Sequence, residues 1–153
     1  MVDKDRRSGR VTSRSILLNK ALAPDEKERV LAHELSHAID EIAGIIPTAG
    51  LDVELRNVYN HLNNPQRHGP KFGPEQHGYS GERVKRELMG EAIRAYMHDP
   101  NYLKSVAPRT AAAIRAAVNP HPKLSKIIQF NSLVPLGLGL GATAMTAQGQ
   151  DGE

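Results

Sequence analysis

From residue 24 to residue 118, apolar positions recur every three or four residues, the spacing of helices with one buried face. Pro24, Asp25 and Glu26 open the first stretch. Proline fits a first helical turn, and the acids suit the positive end of the helix dipole. This helix is predicted to run to about Ala43, with Gly44 closing it. Leu51, Leu55, Val58 and Leu62 mark one face of a second helix over about 51–62. A third, over about 81–98, carries Val84, Leu88, Ala92 and Tyr96 on one face and stops at Asp99-Pro100. A short turn is expected around 101–105, then a fourth helix over about 108–118, ended by Asn119-Pro120. Ahead of them all, Ser15-Ile16-Leu17-Leu18 reads as a strand. The interval 63–80 holds Pro65, Gly69, Pro70, Gly73, Pro74 and Gly78, which rule out regular structure; a break of that length is often a functional loop. One domain over 11–132 is expected, with a polar arm over 1–10 and a flexible, apolar, glycine-rich tail over 133–153.

Composition narrows the chemistry. The 153 residues are 39% hydrophobic but only 4% aromatic, with no Trp, so the core must be aliphatic. There is no cysteine, which excludes disulfides and thiolate metal ligands. The net charge is +3 and the basic residues are scattered. Their densest cluster, Lys4-Asp5-Arg6-Arg7, reads as a solvated arm, so no nucleic-acid site is expected. No apolar stretch follows Met1-Val2-Asp3-Lys4-Asp5-Arg6-Arg7, so no signal peptide is expected and a cytoplasmic setting is. The tail from Leu133 to Ala147 is shorter than the ~20 residues of a spanning helix, and its glycines weaken it further, so no transmembrane segment is expected.

The first helix contains His33-Glu34-Leu35-Ser36-His37. Residues four apart on a helix lie one above the other, so His33 and His37 project together and can fill two corners of a zinc tetrahedron. Glu34 lies beside them, placed to take a proton from water held at the metal. Val30, Leu31, Leu35, Ala38, Ile39 and Ile42 surround the motif, which predicts partial burial; buried His and Glu then need partners, and a metal supplies one.

A catalytic zinc usually has three protein ligands and one open position. Six residues beyond His37 stands Ala43, so a third histidine at that spacing is absent. Asp40, one turn after His37, suits a hydrogen-bond partner of the ligands better than a ligand. Glu87 and Glu91 lie four apart on one face of the third helix, and that pair is the favoured source of the third ligand. His61, His68 and His77, in or near the Pro/Gly interval, are the rivals.

Glu87-Leu88-x-x-Glu91-Ala92, followed by Tyr96, Asp99-Pro100, Leu103-Lys104 and Ala107-Pro108, resembles the second-helix region of gluzincins related to lethal-factor-type toxin peptidases. With His33-Glu34-Leu35-Ser36-His37-Ala38-Ile39-Asp40 and Ile127-Ile128-Gln129-Phe130-Asn131-Ser132, the chain also resembles metallopeptidase segments of large polyvalent proteins of phages and mobile elements. The resemblance covers about residues 11–132. It implies a predominantly helical α+β, zincin-like fold with a small or reduced sheet packed on the motif helix. It also implies Glu87 as zinc ligand, Glu91 as support for the ligands, and Tyr79 as an aid to the oxyanion.

The activity implied is a zinc-dependent metallopeptidase acting on a protein or peptide substrate, in a bacterial host cell or packaged in a phage particle. The alternative is a catalytically silent phage structural or packaging protein stabilised by zinc.

Overall fold

A computed structural model describes residues 20–64, 66 and 69–133, and among them every regular element is helical. In chain order these are α1 (Pro24–Ile42), α2 (Asp52–Asn63), α3 (Glu82–His98), α4 (Pro100–Val106) and α5 (Pro108–Val118). Single 3-10 turns lie at Pro74–His77 and Leu124–Lys126. The predominantly helical part of the expected fold class is present. The strand expected at Ser15–Leu18, the arm over 1–10 and the tail beyond 133 lie outside the described residues.

The middle helix organises the rest. α3 touches α1, α2, α4 and α5. Its run Leu88 to Ile93 is apolar nearly all round, apart from Glu91, as a helix covered on several sides requires. Leu88, Met89, Ala92, Ile93 and Tyr96 are buried with Leu55 and Val58 of α2, Leu103 of α4 and Ile114 of α5. Aliphatic side chains dominate this core, with one aromatic contact between Tyr96 and Phe130.

Helix ends explain the boundaries. At the start of α1 the Glu26 carboxylate accepts a hydrogen bond from the Ala23 N–H at 3.1 Å, in place of a side-chain cap. At its end the Gly44 N–H donates to the Glu41 carbonyl at 3.1 Å and the Ile45 N–H to the Asp40 carbonyl at 2.9 Å. That double closure needs the left-handed conformation Gly44 adopts, at φ +90°. The start of α5 has no cap of its own. Glu54 of α2 supplies one, accepting from the Arg109 N–H at 3.0 Å and the Thr110 N–H at 2.9 Å.

Three expectations need correction. The turn expected at 101–105 is helix α4: Pro100 takes its first position and Asp99 caps it, accepting from the Tyr102 N–H at 3.1 Å. Asp99-Pro100 therefore ends one helix and starts another. Leu62 is exposed on α2, and Tyr59 is buried instead. Around the metal motif Ala38 and Ile39 are buried, but Leu31, Leu35 and Ile42 are exposed among the described residues, because they share the side of α1 turned away from α3.

The described residues 70–75 of the interval are tied to α2 and to Asn64 at its end. Asn60 accepts from the Phe72 N–H at 2.8 Å, Asn64 donates to the Pro70 carbonyl at 2.9 Å, and Arg56 pairs with Glu75 at 3.1 Å. This brings the segment ending in Tyr79 back to the α1–α3 face.

Candidate metal centre

α1 packs on α3 from His33 onward, and the histidines of one meet the carboxylates of the other. His33 Nε2 lies 3.1 Å from His37 Nε2. Glu87 spans the two: one carboxylate oxygen is 3.2 Å from His37 Nε2 and the other 3.5 Å from His33 Nε2. His33, His37 and Glu87 are the group of potential ligands that converge within 4.8 Å among the described residues. Glu87, which the resemblance implies as the third ligand, is the carboxylate of α3 that converges with the two histidines.

These spacings can be tested against a metal. Zinc bonds of about 2.0–2.1 Å at the tetrahedral angle set neighbouring ligand atoms about 3.3 Å apart. The contacts of 3.1, 3.2 and 3.5 Å lie near that value, the two from Glu87 ending on different oxygens of its carboxylate. Two neutral imidazole nitrogens facing each other leave either one shared proton or two opposed lone pairs, so a cation between them relieves the contact. Two nitrogens and a carboxylate form a common donor set of catalytic zinc, with a fourth direction left open. The residues present fit zinc.

The surroundings orient these donors. His33 Nδ1 is 3.5 Å from Glu91 Oε1, which favours the tautomer with its Nε2 lone pair toward the centre. Glu91 is in turn gripped by Arg94, whose Nη2 donates at 2.6 Å and Nε at 3.1 Å to the same oxygen. The Tyr79 phenol is near enough to Glu87 to help hold its carboxyl down, and the Arg83 guanidinium lies 5.1 Å over the Tyr79 ring. Glu34 is half-buried and close enough for its charge to act on both His33 and Tyr79.

The electrostatics reflect a cluster short of positive charge. The Glu91 hydrogen bond raises the His33 pKa; burial opposes it, and the charges of Glu87, Glu91 and Glu34 add to it. Burial pushes the Glu87 carboxyl up, but the His37 hydrogen bond, both imidazoles and Tyr79 together hold it below the usual range. Burial likewise works against Glu91, and His33 with Arg94 outweighs it. Burial raises the Tyr79 phenol, with Glu87 next in effect, so it stays a donor.

Asp40 does not stand where the motif suggested. It is buried one turn beyond His37, but its carboxylate accepts from the Ile46 N–H at 2.8 Å and from Arg86, while Arg86 also donates to the Ile46 carbonyl at 2.9 Å. It fastens the end of α1 to α3 rather than holding a histidine. A cleft lined by His37, Asp40, Glu41, Ile45 and Arg86 lies beside this tie.

The rival histidines are elsewhere: His61 Nδ1 meets the Tyr102 hydroxyl at 2.7 Å, and His77 stacks edgewise near Tyr59. His68 lies outside the described residues.

Sequence reasoning missed Arg94, Gly90 and Tyr59. Arg94 could have been found by its place three residues after Glu91. Gly90 offered a signal as a glycine inside a helix. Tyr59, buried on α2 and raised in pKa by burial and by Glu91 and Glu87, offered none. Comparison of the chain with protein-family models, with curated proteins and with solved structures finds no match.

Proposed function

We propose that the protein is a zinc-dependent metallopeptidase that hydrolyses peptide bonds of a protein or peptide substrate. The observation that carries this reading is the convergence of His33 Nε2, His37 Nε2 and the Glu87 carboxylate, at spacings near those around tetrahedral zinc, with a general base adjoining it in sequence.

Zinc held there would supply Lewis acidity at its open position and bring the pKa of water toward neutrality. Glu34, beside that position, is the carboxylate that would accept a proton from water and return it to the leaving amine. The Tyr79 phenol, kept protonated by burial and by Glu87, would be a donor to the oxyanion. Glu91 and Arg94 keep His33 in the tautomer that faces the centre.

The test compares the parent with Glu34→Gln on an unfolded protein and on a peptide library. The expected result is that both bind zinc and that Glu34→Gln loses hydrolysis by several orders of magnitude. A second reading is supported by the placement of the ligands on two different helices: zinc would staple α1 to α3 without turnover. A zinc-loaded parent inactive on every substrate, with a large zinc-dependent rise in unfolding temperature, would favour that structural role, including one within a phage particle.

A further inference from the structure

The two imidazoles of the centre are positioned by different means. His33 is oriented by a hydrogen-bonding partner, the carboxylate of Glu91. His37 is placed by the absence of a side chain. A Cβ built on Gly90 would lie 2.7 Å from His37 Cε1, 3.0 Å from Nδ1 and 3.2 Å from Nε2, so the ring rests against the bare backbone of α3. Gly90 sits in the middle of α3 with ordinary right-handed helical backbone, a conformation any residue adopts. Its glycine is therefore not required by the local chain, and helix propensity disfavours it. Space for His37 is what demands it.

We propose that Gly90 is a positioning residue of the metal centre, which lets His37 approach α3 closely enough for its Nε2 to reach Glu87. The ring can swing clear without disturbing the fold, but not while it serves the centre. It is fixed by two side-chain torsions on α1, and its Nε2 must stay 3.1 Å from His33 and 3.2 Å from Glu87. A methyl group at position 90 displaces the ring away from α3, and so displaces Nε2 from the other two donors. Glu91 and Arg94 are untouched, so His33 stays in place and the centre loses one corner.

This inference rests on the zinc reading above. The test measures zinc affinity by chelator competition, the visible spectrum with cobalt(II) in place of zinc, and the unfolding temperature of the metal-free protein. It uses the full chain as parent, Gly90→Ala, His37→Ala and the double variant. Gly90→Ala is expected to unfold, metal-free, at or above the parent temperature and to bind zinc about 10–100-fold more weakly, with loss of the four-coordinate cobalt spectrum. In the His37→Ala background, Gly90→Ala should add no further loss. Parent-like zinc affinity in a folded Gly90→Ala protein overturns the inference and leaves the zinc reading intact. If Gly90→Ala alone fails to fold, the double variant decides: folding as well as His37→Ala supports the inference, and failure to fold overturns it. A parent that binds no zinc overturns the zinc reading and the inference with it.

Discussion

Nδ1 of His33 lies 3.5 Å from Oε1 of Glu91, with the other ring nitrogen turned toward Glu87. Two carboxylates one helical turn apart on α3 thus address opposite edges of one imidazole, and their roles separate. Glu87 shares the centre with both histidines, while Glu91 reaches it only through His33.

The two carboxylates should therefore rank on substitution. Glu87→Ala removes a donor atom and should lower zinc affinity steeply. Glu91→Ala leaves the three donors and loosens one of them, a loss of about 10–100-fold. Arg94→Ala, one step further out, should cost less than either. Chelator competition on the three variants measures the order; equal effects of Glu87→Ala and Glu91→Ala would contradict the assigned roles.

Asp40 should behave differently from all of these. Its buried carboxylate pairs with Arg86 and takes the Ile46 N–H, so Asp40→Ala leaves the Ile46 N–H without this acceptor and Arg86 with the Ile46 carbonyl but without the Asp40 charge. Removing one partner of a buried ion pair costs about 3–5 kcal/mol, and the cost here should fall toward about 3 kcal/mol because Arg86 is partly exposed. Denaturant unfolding of the metal-free protein should show that loss, with zinc affinity in the folded variant nearly unchanged. A steep loss of zinc affinity without a loss of stability would put Asp40 back among the supports of the ligands.

The electrostatics give opposite pH trends with and without metal. In the metal-free protein the His33 pKa is raised above 6.5, so its contribution is fully present below pH 6.5 and is lost as pH rises through the higher folded value. Glu87 and Glu91 are lowered below 4.5, so theirs is present above pH 4.5 and is lost as pH falls through the lower folded values. Metal-free stability should peak between those limits. Zinc competes with a proton for the His33 nitrogen that faces the centre, so its stabilisation should grow as pH rises through that higher folded value. Unfolding temperatures from pH 4 to 9, with chelator and with zinc, should diverge on the alkaline side; parallel curves would contradict the linkage.

Much of the site was legible because it is local. His33, Glu34 and His37 are placed by helical periodicity alone, and Pro24, Gly44, Asp99 and Pro108 mark helix ends within a residue or two of those found. Four-residue spacing also put Glu87 and Glu91 on one face of α3. What periodicity could not supply is which face meets which. Asp40 and Arg86 are 46 residues apart, and Glu54 caps a helix more than 50 residues later. Neither pairing has a local signature. Leu31, Leu35 and Ile42 show the same limit, since their apolar character gave no sign that they turn away from α3. Gly90 was visible as a helix-weakening residue, but its reason lies in a histidine on another helix.

The central claim is that His33, His37 and Glu87 together hold zinc, and metal analysis of the purified protein after exhaustive dialysis tests it most directly. The account predicts about one zinc per chain in the parent and essentially none in His33→Ala or His37→Ala. No zinc in a folded parent, or undiminished zinc in both histidine variants, would contradict it.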